Sequence, residues 1–392
     1  MQQLQYVSAG FAFGGLYGPA GNVLLNQVPP VTPDLLQAPL AAINAAVTQA
    51  APSTSSTSSP PMTVARFCAT ATLLPNGKVL IAGGFDSGTT AVNGTELYDP
   101  ASDSFIAGPP MSHARGGPTA TLLPNGKVLI AGGNDGSDPL SSTELYDVAT
   151  NTFAPGPSMI AARFGAGATL LPNGNVLIAG GGTVNSEIYD PSANSFSAGP
   201  SGSVSAASTL ILMPNGKVLI VGDSGDLSGT PSIADLYDPA NNSISERPLN
   251  TDRYFPAVAL LPNGKVLLAG GLANVNMQIV TLTSTQIYDP SQDTFADGPS
   301  MGTGHWFATA APTANGKILI IGGSNNGTNG IDNVEVYDSV TDSFTAGTPM
   351  SDPRLLATAT LLPNGRVLIA GGVNGTNSVA STDSTCLDTA GT

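Results

Sequence analysis

One block of sequence recurs seven times along this chain of 392 residues, and this repeat constrains the fold more than any other feature. The block reads LLPNGKVLIAGG from Leu73 to Gly84 and again from Leu122 to Gly133. The other five copies centre on Asn-Gly pairs, which begin at Asn173, Asn215, Asn263, Asn315 and Asn364. Successive copies are 42 to 52 residues apart, a spacing that is too long for a short-repeat solenoid and typical of one four-stranded sheet.

Each repeat contains four segments with strand character. A run such as ATATLL precedes Pro-Asn-Gly and KVLIAGG follows it, and Asn-Gly supplies the positive φ angles of a tight hairpin turn. A loop of variable length then leads to a third strand that ends in Tyr-Asp, and a turn leads into a short fourth strand. The fourth strands centre on Phe105, Phe153, Phe196, Ile244, Phe295 and Phe344. Seven such units predict an all-β chain that closes into a seven-bladed propeller and hides its sheet edges.

The order of these motifs resembles the kelch repeat. A Gly-Gly pair closes an apolar strand, Tyr-Asp-Pro follows, and an aromatic residue comes about six residues later, over a region from Arg66 to Thr382. The fourth strand carries Phe where kelch repeats usually carry Trp. The resemblance implies a kelch-type β-propeller, an architecture used mostly for binding and occasionally for catalysis.

The last repeat is degenerate, because Thr382-Asp383 replaces Tyr-Asp and no fourth-strand aromatic follows. We assign residues 62–392 to the propeller and expect the N-terminal extension to help close it. Residues 1–28 are the candidate, since PAGNVLL from Pro19 resembles PNGNVLI from Pro172. A disordered tail or a vestigial repeat is the alternative.

Residues 29–61 separate this segment from the propeller. Thr32 is placed as an N-cap and Pro33 as the first helical residue, so we predict a helix from Pro33 to Ala50. The residues from Ala51 to Pro61 are rich in Ser and Thr and are interpreted as a linker.

Composition excludes some classes of function. The chain has 12 Lys or Arg against 27 Asp or Glu, a net charge of −15, which argues against a nucleic-acid partner. No apolar run is long enough to span a membrane. The low Lys content and the abundance of Thr and Asn favour an extracellular or cell-envelope protein of the bacterial surface type, and we expect a monomer.

Nearly all the positive charges occupy one of two positions in the repeat. The lysine set follows the Asn-Gly turns and comprises Lys78, Lys127, Lys217, Lys265, Lys317 and Arg366. The arginine set lies ten residues before each turn Asn and comprises Arg66, Arg115, Arg163, Arg253 and Arg354, with His305 at the same position in the sixth repeat. The two sets are expected on opposite faces of the propeller, and the lysine set is interpreted as a solvated rim.

The arginine set shares its face with the loops after Gly-Gly, where propellers commonly bind ligands. We therefore take Arg66, Arg115, Arg163, Arg253, Tyr254, His305, Trp306 and Arg354 as candidate ligand-binding residues. Five guanidinium groups near one axis would bind a carboxylate, a sulfate or an acidic peptide. The alternative is structural, with each arginine bonded to carbonyls of the adjacent blade.

Catalysis has less support in the sequence. The kelch-type copper oxidases, which this chain resembles in blade number, need two tyrosines, two histidines and a cysteine around one metal. This chain has only His113 and His305, and Phe255 follows Tyr254 where those enzymes place a histidine. The sequence leaves two alternatives for Cys68, which are a disulfide with Cys386 and a buried free thiol. We assign no catalytic residue, no metal and no cofactor.

The sequence thus predicts a non-enzymatic binding or scaffold module for a protein, peptide or carbohydrate ligand, with an anionic ligand considered. The most variable loop surface is expected at Phe85 to Thr95 and at Leu272 to Ser284. The alternative function is a secreted carbohydrate-active or copper-dependent oxidase of galactose-oxidase-like architecture.

Overall fold

The computed structural model describes residues 57–204, 206, 208–222, 233–275 and 278–385. Within these ranges the chain is all-β and forms seven sheets of four antiparallel strands each, which confirms the predicted seven-bladed propeller. No helix among the described residues is long and apolar enough to cross a membrane. The segment 1–28 and the helix from Pro33 to Ala50 lie outside the described residues and stay predictions.

The first described strand is Thr57–Ser59 (β1). Blades one to three then follow in chain order, as Thr70–Leu73 (β2), Val79–Ala82 (β3), Thr95–Asp99 (β4), Ser104–Ala107 (β5), Thr119–Leu122 (β6), Lys127–Ala131 (β7), Thr143–Asp147 (β8), Thr152–Pro155 (β9), Gly167–Leu170 (β10), Val176–Ala179 (β11), Asn185–Asp190 (β12) and Ser195–Ser201 (β13). Blade four comprises Ser208–Leu212 (β14), Val218–Gly222 (β15), Ile233–Asp238 (β16) and Ser243–Pro248 (β17).

Blade five contains an additional hairpin between its second and third strands, and comprises Ala257–Leu260 (β18), Val266–Ala269 (β19), Leu272–Val275 (β20), Gln278–Thr281 (β21), Thr285–Asp289 (β22) and Thr294–Gly298 (β23). Blade six comprises Thr309–Pro312 (β24), Ile318–Ile321 (β25), Val334–Asp338 (β26) and Ser343–Ala346 (β27). The remaining strands, near the C-terminus, are Thr358–Leu361 (β28), Val367–Ala370 (β29), Val373–Asn374 (β30), Asn377–Ser378 (β31) and Thr382–Thr385 (β32).

The predicted strands and turns are confirmed in detail. In blade one Leu73 pairs with Val79 across the Asn-Gly hairpin, and Tyr98 pairs with Phe105. Gly77 has a φ of 81°, which the turn requires and which glycine adopts without steric cost. The same four-strand order holds in every blade, so the loops after Gly-Gly and the Asn-Gly turns lie on opposite faces, here called the Gly-Gly face and the Asn-Gly face.

The ring is closed by the N-terminal side of the propeller. In blade seven the strand order is β1-β32-β29-β28, so Thr57–Ser59 is the outermost strand. The Ser59 hydroxyl donates to the Ser384 hydroxyl at 3.0 Å, and the Thr382 hydroxyl donates to the Pro60 carbonyl at 2.8 Å. The closing strand thus comes from within the segment that composition predicted to be a linker.

The lysine set belongs to the Asn-Gly face. Five lysines each form an ion pair with the Asp of a Tyr-Asp motif at 2.9 to 3.3 Å, and the pairs are Lys78–Asp99, Lys127–Asp147, Lys217–Asp238, Lys265–Asp289 and Lys317–Asp338. All of these groups are partly exposed, so each pair contributes only about 1 kcal/mol or less to stability. The cations of this face are thus locally neutralised and stay near solvent, as the predicted rim requires.

The hydrophobic core lies between neighbouring blades. Val79, Ile81 and Tyr98 of blade one are buried against Leu368 and Ala370 of blade seven. Similar clusters join the other blades, so each blade is stabilised by its two neighbours.

We expect the ring to depend on β1. The double substitution Ser58→Pro with Ser59→Pro should lower the melting temperature by several degrees, because proline cannot donate a strand hydrogen bond and each lost bond costs about 1–3 kcal/mol. Ser58→Val is the matched control, because the Ser58 side chain is exposed and valine favours a strand. Equal melting temperatures for the two variants, measured by calorimetry, would contradict the assigned closure.

Candidate functional site

The arginines of the arginine set are buried inside the blades, with exposed fractions of 0 to 1%. In blade one, Nη1 of Arg66 donates to the carbonyls of Gly83 at 2.9 Å and Gly94 at 2.8 Å. Nη2 lies 3.0 Å from Oε1 of Glu96, which is on the third strand. One guanidinium therefore ties together the segment before the first strand and the second and third strands of its own blade.

The same arrangement, here called the arginine clasp, recurs around the ring. The ion pairs are Arg115–Glu144 at 3.0 Å, Arg163–Glu187 at 2.9 Å and Arg354–Asp383 at 3.0 Å. In blade six His305 replaces the arginine, with Nδ1 at 2.7 Å from the Gly322 carbonyl and Nε2 at 3.3 Å from Glu335. Repetition of one geometry in five blades indicates a structural role.

Each clasp carboxylate also holds the connection from the previous blade. Glu96 accepts hydrogen bonds from the backbone N–H groups of Thr63 at 2.7 Å and Val64 at 3.3 Å. In blade two, burial opposes ionisation of Glu144, but the Ser112 amide and Arg115 outweigh it and lower its pKa. Glu144 is therefore a charged partner of the buried Arg115.

The backbone of each clasp residue contacts the preceding blade. The Arg66 carbonyl accepts from the N–H of Gly372 in blade seven at 2.9 Å, and the Arg115 carbonyl accepts from Gly84 of blade one at 2.8 Å. A Cβ on Gly83 would lie 2.4 Å from the Arg115 carbonyl oxygen, so the contact requires glycine there. The side chain thus bonds its own blade and the backbone bonds the adjacent one, whereas the structural alternative from sequence placed the side-chain bonds across blades.

This geometry favours the structural interpretation of the arginine set over anion binding. Arg66, Arg115, Arg163, Arg253 and Arg354 are buried, and their donors bond groups of their own blades. Tyr254 (2% exposed) and His305 (0%) are buried with them. Of the eight candidate residues, only Trp306 is partly exposed.

Blades four and five depart from the clasp pattern. In blade four the sequence has Ser205 at the arginine position, and Asp235 is buried with Oδ1 lacking a hydrogen-bond partner among the described residues. Burial, and to a lesser degree the charge of Glu246, raises the pKa of Asp235. In blade five Arg253 faces Gln286, and burial lowers the arginine pKa to about 10.

A second repeated feature encircles the propeller axis on the Gly-Gly face. The residue two positions after each clasp residue has a positive φ between 50° and 70°, and these residues are Cys68, Gly117, Gly165, Phe255, Phe307 and Leu356. Their backbones are linked from blade to blade, as where Gly117 N–H donates to the Cys68 carbonyl at 2.8 Å and Leu356 N–H donates to Phe307 at 3.1 Å. Non-glycine residues with this backbone cost about 1–3 kcal/mol each and concentrate at functional sites.

An aromatic cluster lies on this ring at blades five and six. The rings of Phe255 and Phe307 stack with centroids 4.6 Å apart, and the Trp306 ring lies 4.3 Å from Phe307. All three side chains are partly exposed. The Trp306 Nε1 atom is buried and has no hydrogen-bond partner among the described residues. These three residues, here called the aromatic cluster, form the candidate ligand site.

The rest of the ring, from blade seven through blade one to blade three, is packed with apolar side chains. Phe67, Cys68, Phe85, Phe164 and Leu356 belong to a buried group there, and Phe307 packs against this group. Burial raises the pKa of the Cys68 thiol to about 12, so it is protonated at neutral pH. Cys68 is a free cysteine in the structure, while Cys386 lies outside the described residues.

The described residues do not fit a copper site. His305 belongs to a clasp, and His113 lies exposed on a loop where it contacts the Ser112 hydroxyl at 2.9 Å. Across the described ranges, no group of three or more His, Cys, Asp or Glu side chains could hold a metal ion. We therefore propose no copper-dependent reaction for this protein.

We predict that the clasp is a major source of stability. Arg163→Ala should lower the free energy of unfolding by about 3–5 kcal/mol, because Glu187 would remain buried without its partner. Arg247→Ala is the control, since Arg247 pairs with Asp293 at a partly exposed site and should cost about 1 kcal/mol or less. Equal losses in urea unfolding would show that the clasp is not stabilising.

Replacing the buried carboxylate by its amide should have different effects on stability in blades three and four. Glu187→Gln leaves Arg163 unpaired and should destabilise the protein by about 3 kcal/mol. Between the ordinary pKa of Asp235 and its raised value, the folded state binds a proton more tightly than the unfolded chain, so wild-type stability falls as the pH rises through that window.

Asp235→Asn removes this loss, so at neutral pH it should unfold at an equal or higher urea concentration than wild type. Unfolding midpoints measured from acidic to neutral pH test both variants. A large destabilisation by Asp235→Asn at neutral pH would show that the carboxylate of Asp235 is needed in its charged form.

With this geometry established, comparison with known proteins places the chain. The family model described as the Kelch motif matches residues 66–112, 115–160 and 306–351. Among solved structures, the chain is similar to a fungal alcohol oxidase of the AA5 family in complex with copper, with 19% identity and a TM-score of 0.68. The match covers 84% of this chain and 76% of the oxidase, and at this identity it supports the fold alone.

A search of curated proteins found no match to the sequence. The kelch motifs and the seven four-stranded blades nevertheless agree in position and in architecture. This chain is therefore a seven-bladed β-propeller that carries kelch motifs.

Proposed function

We propose that the protein is a non-enzymatic binding module that holds its ligand on the Gly-Gly face at the aromatic cluster. The observation that carries this proposal is the partly exposed set of Phe255, Trp306 and Phe307, two of which have a costly backbone conformation. A ligand that stacks on the exposed parts of these rings would account for both features.

The loops around the cluster support a binding role. The β20–β21 hairpin stands beside Trp306, because the N–H of His305 donates to the Leu282 carbonyl at 3.3 Å and Gly304 packs against Thr281. Val275, Ile279 and Val280 of this hairpin are 47, 49 and 37% exposed. Such aliphatic side chains on a projecting hairpin are typical of a contact surface.

Neighbouring loops are braced against one another. The Gly330 N–H donates to Asn374 Oδ1 at 3.2 Å between blades six and seven, and the hydroxyls of Ser87 and Ser378 lie 2.7 Å apart between blades one and seven. These bonds support a Gly-Gly face that is ordered before a ligand arrives, which lowers the entropic cost of binding.

The second candidate, an alcohol oxidase, is favoured by the similarity to the fungal enzyme. That similarity concerns the fold, and among the described residues no three His, Cys, Asp or Glu side chains are grouped so that they could hold a metal ion. The binding module therefore has the better support.

The protein contains one tryptophan, so its fluorescence reports directly on the proposed site. Titration with a panel of neutral oligosaccharides, acidic peptides and basic peptides should identify a ligand that changes the Trp306 emission. Trp306→Ala should weaken that ligand at least about tenfold, corresponding to about 1.4 kcal/mol, as measured by calorimetry because the variant has no tryptophan. Lys127→Ala on the Asn-Gly face is the control and should bind normally. A ligand held equally well by Trp306→Ala would contradict the proposed site.

A further inference from the structure

The positive charges of the protein are kept away from the exposed part of the Gly-Gly face. All 12 Lys and Arg residues lie in the described part of the chain. The arginine set is buried in the clasps, and the lysine set lies on the Asn-Gly face. Arg247, on the outer strand of blade four, donates to Asp293 Oδ2 at 2.7 Å. No Lys or Arg among the described residues therefore presents a free charge to a ligand at the aromatic cluster.

Carboxylates remain on the same face. Asp86, Asp135 and Asp138 lie on loops after Gly-Gly pairs, Asp332 precedes the third strand of blade six, and Asp352 precedes Arg354. Asp135 and Asp138 are exposed, and the Asp352 side chain is 52% exposed at 3.9 Å from Arg354. Hydrogen bonds from the backbone N–H groups of Asp138 and Ser137 lower the pKa of Asp135, so it is ionised at neutral pH. The exposed imidazole of His113 lies two residues before Arg115, as Asp352 lies two residues before Arg354.

A face that carries both an aromatic cluster and exposed carboxylates favours a cationic ligand. Indole is the best of the aromatic side chains for a cation–π contact, and a surface of one charge sign raises the local concentration of ligands of the opposite sign. An anionic ligand would meet carboxylates without an available guanidinium. The charge distribution thus favours the opposite ligand charge from the one that the arginine set suggested in sequence.

The β20–β21 hairpin, which lies beside Trp306, indicates what kind of cationic molecule the site would bind. The sequence from Leu272 to Ile287 contains no charged residue, and its exposed valine and isoleucine side chains suit the aliphatic side chains of a peptide. An amino sugar offers the charge but has no side chains for this apolar surface.

We propose that the ligand is a basic peptide segment of a partner protein, with a Lys or Arg side chain on the face of Trp306 and apolar residues against the β20–β21 hairpin. This inference rests on the proposed binding function and specifies its partner. The attraction between a basic peptide and the carboxylates of the Gly-Gly face is electrostatic. Added salt should therefore screen it and weaken binding.

The test uses the full chain and three probes, which are a peptide of alternating Lys and Leu, the same peptide with Glu for Lys, and a glucosamine oligomer. Affinity is measured by calorimetry and by Trp306 emission. We expect the Lys peptide to bind at least about tenfold more tightly than either other probe.

Two variants then separate site binding from general attraction to an acidic protein. Trp306→Phe should weaken the Lys peptide several-fold, because phenyl is a poorer partner for a cation. Asp352→Asn should weaken it about two- to fivefold, since one carboxylate is worth a fraction of a kcal/mol at an exposed site. Asp190→Asn is the matched control, because Asp190 lies in a turn of the Asn-Gly face, and it should leave the affinity unchanged.

The results that would contradict the basic-peptide ligand differ from those that would contradict the binding site itself. Tighter binding of the Glu peptide or the glucosamine oligomer, with a Trp306-dependent change of emission, would overturn the basic peptide and leave the binding site in place. Equal weakening by Asp190→Asn and Asp352→Asn would show that the attraction is non-specific and would overturn the proposal. Absence of any emission change with all three probes and with the wider panel would overturn both the partner and the site.

Discussion

The buried arginine–carboxylate pair is the interaction on which the propeller depends. Each guanidinium joins the start of a blade to its second and third strands, and the backbone of the same residue bonds the previous blade. The contact has room only because Gly-Gly ends the second strand, as the close approach at Gly83 shows. The glycine pair, the arginine and the glutamate of a repeat therefore act together, although 6 to 30 residues separate them along the chain.

The arginine clasps determine which charged side chains remain on the surface of the protein. A count of 12 cations and 27 anions suggests a diffusely acidic surface, and the position of the arginines suggests an anion site. Four arginines are instead neutralised by clasp carboxylates inside the fold, Arg253 is buried against Gln286, and the lysines are paired on the other face. What remains on the Gly-Gly face is the aromatic cluster together with exposed carboxylates such as Asp135 and Asp352, a combination that suits a cation.

The fold could be predicted from sequence because its signals are local. Asn-Gly turns, strand-length apolar runs and Tyr-Asp turns repeat seven or six times, and each acts within a few residues. The closing strand Thr57–Ser59 could not be predicted in this way, since three polar residues carry no strand pattern and their pairing depends on the exposed edge of β32.

Burial of the arginines could not be predicted from local sequence either, because it depends on partners in another strand. One signal was available: four of the five glutamates occupy the same position in the third strand, and where arginine gives way to serine in blade four the glutamate gives way to Asp235. Phe255 and Phe307 were missed as site residues, because their positive φ and their stacking arise from the ring around the axis and not from local sequence.

The central claim is that arginines hold the fold while the aromatic cluster recognises the ligand. The single indole N–H signal of Trp306 and the Nε–H signals of the clasp arginines can be followed in one NMR titration. On addition of a basic peptide, the account predicts that the indole signal shifts in a saturable way while the signals of Arg66, Arg115, Arg163 and Arg354 stay in place. A saturable shift of the arginine signals with an unmoved indole would contradict it.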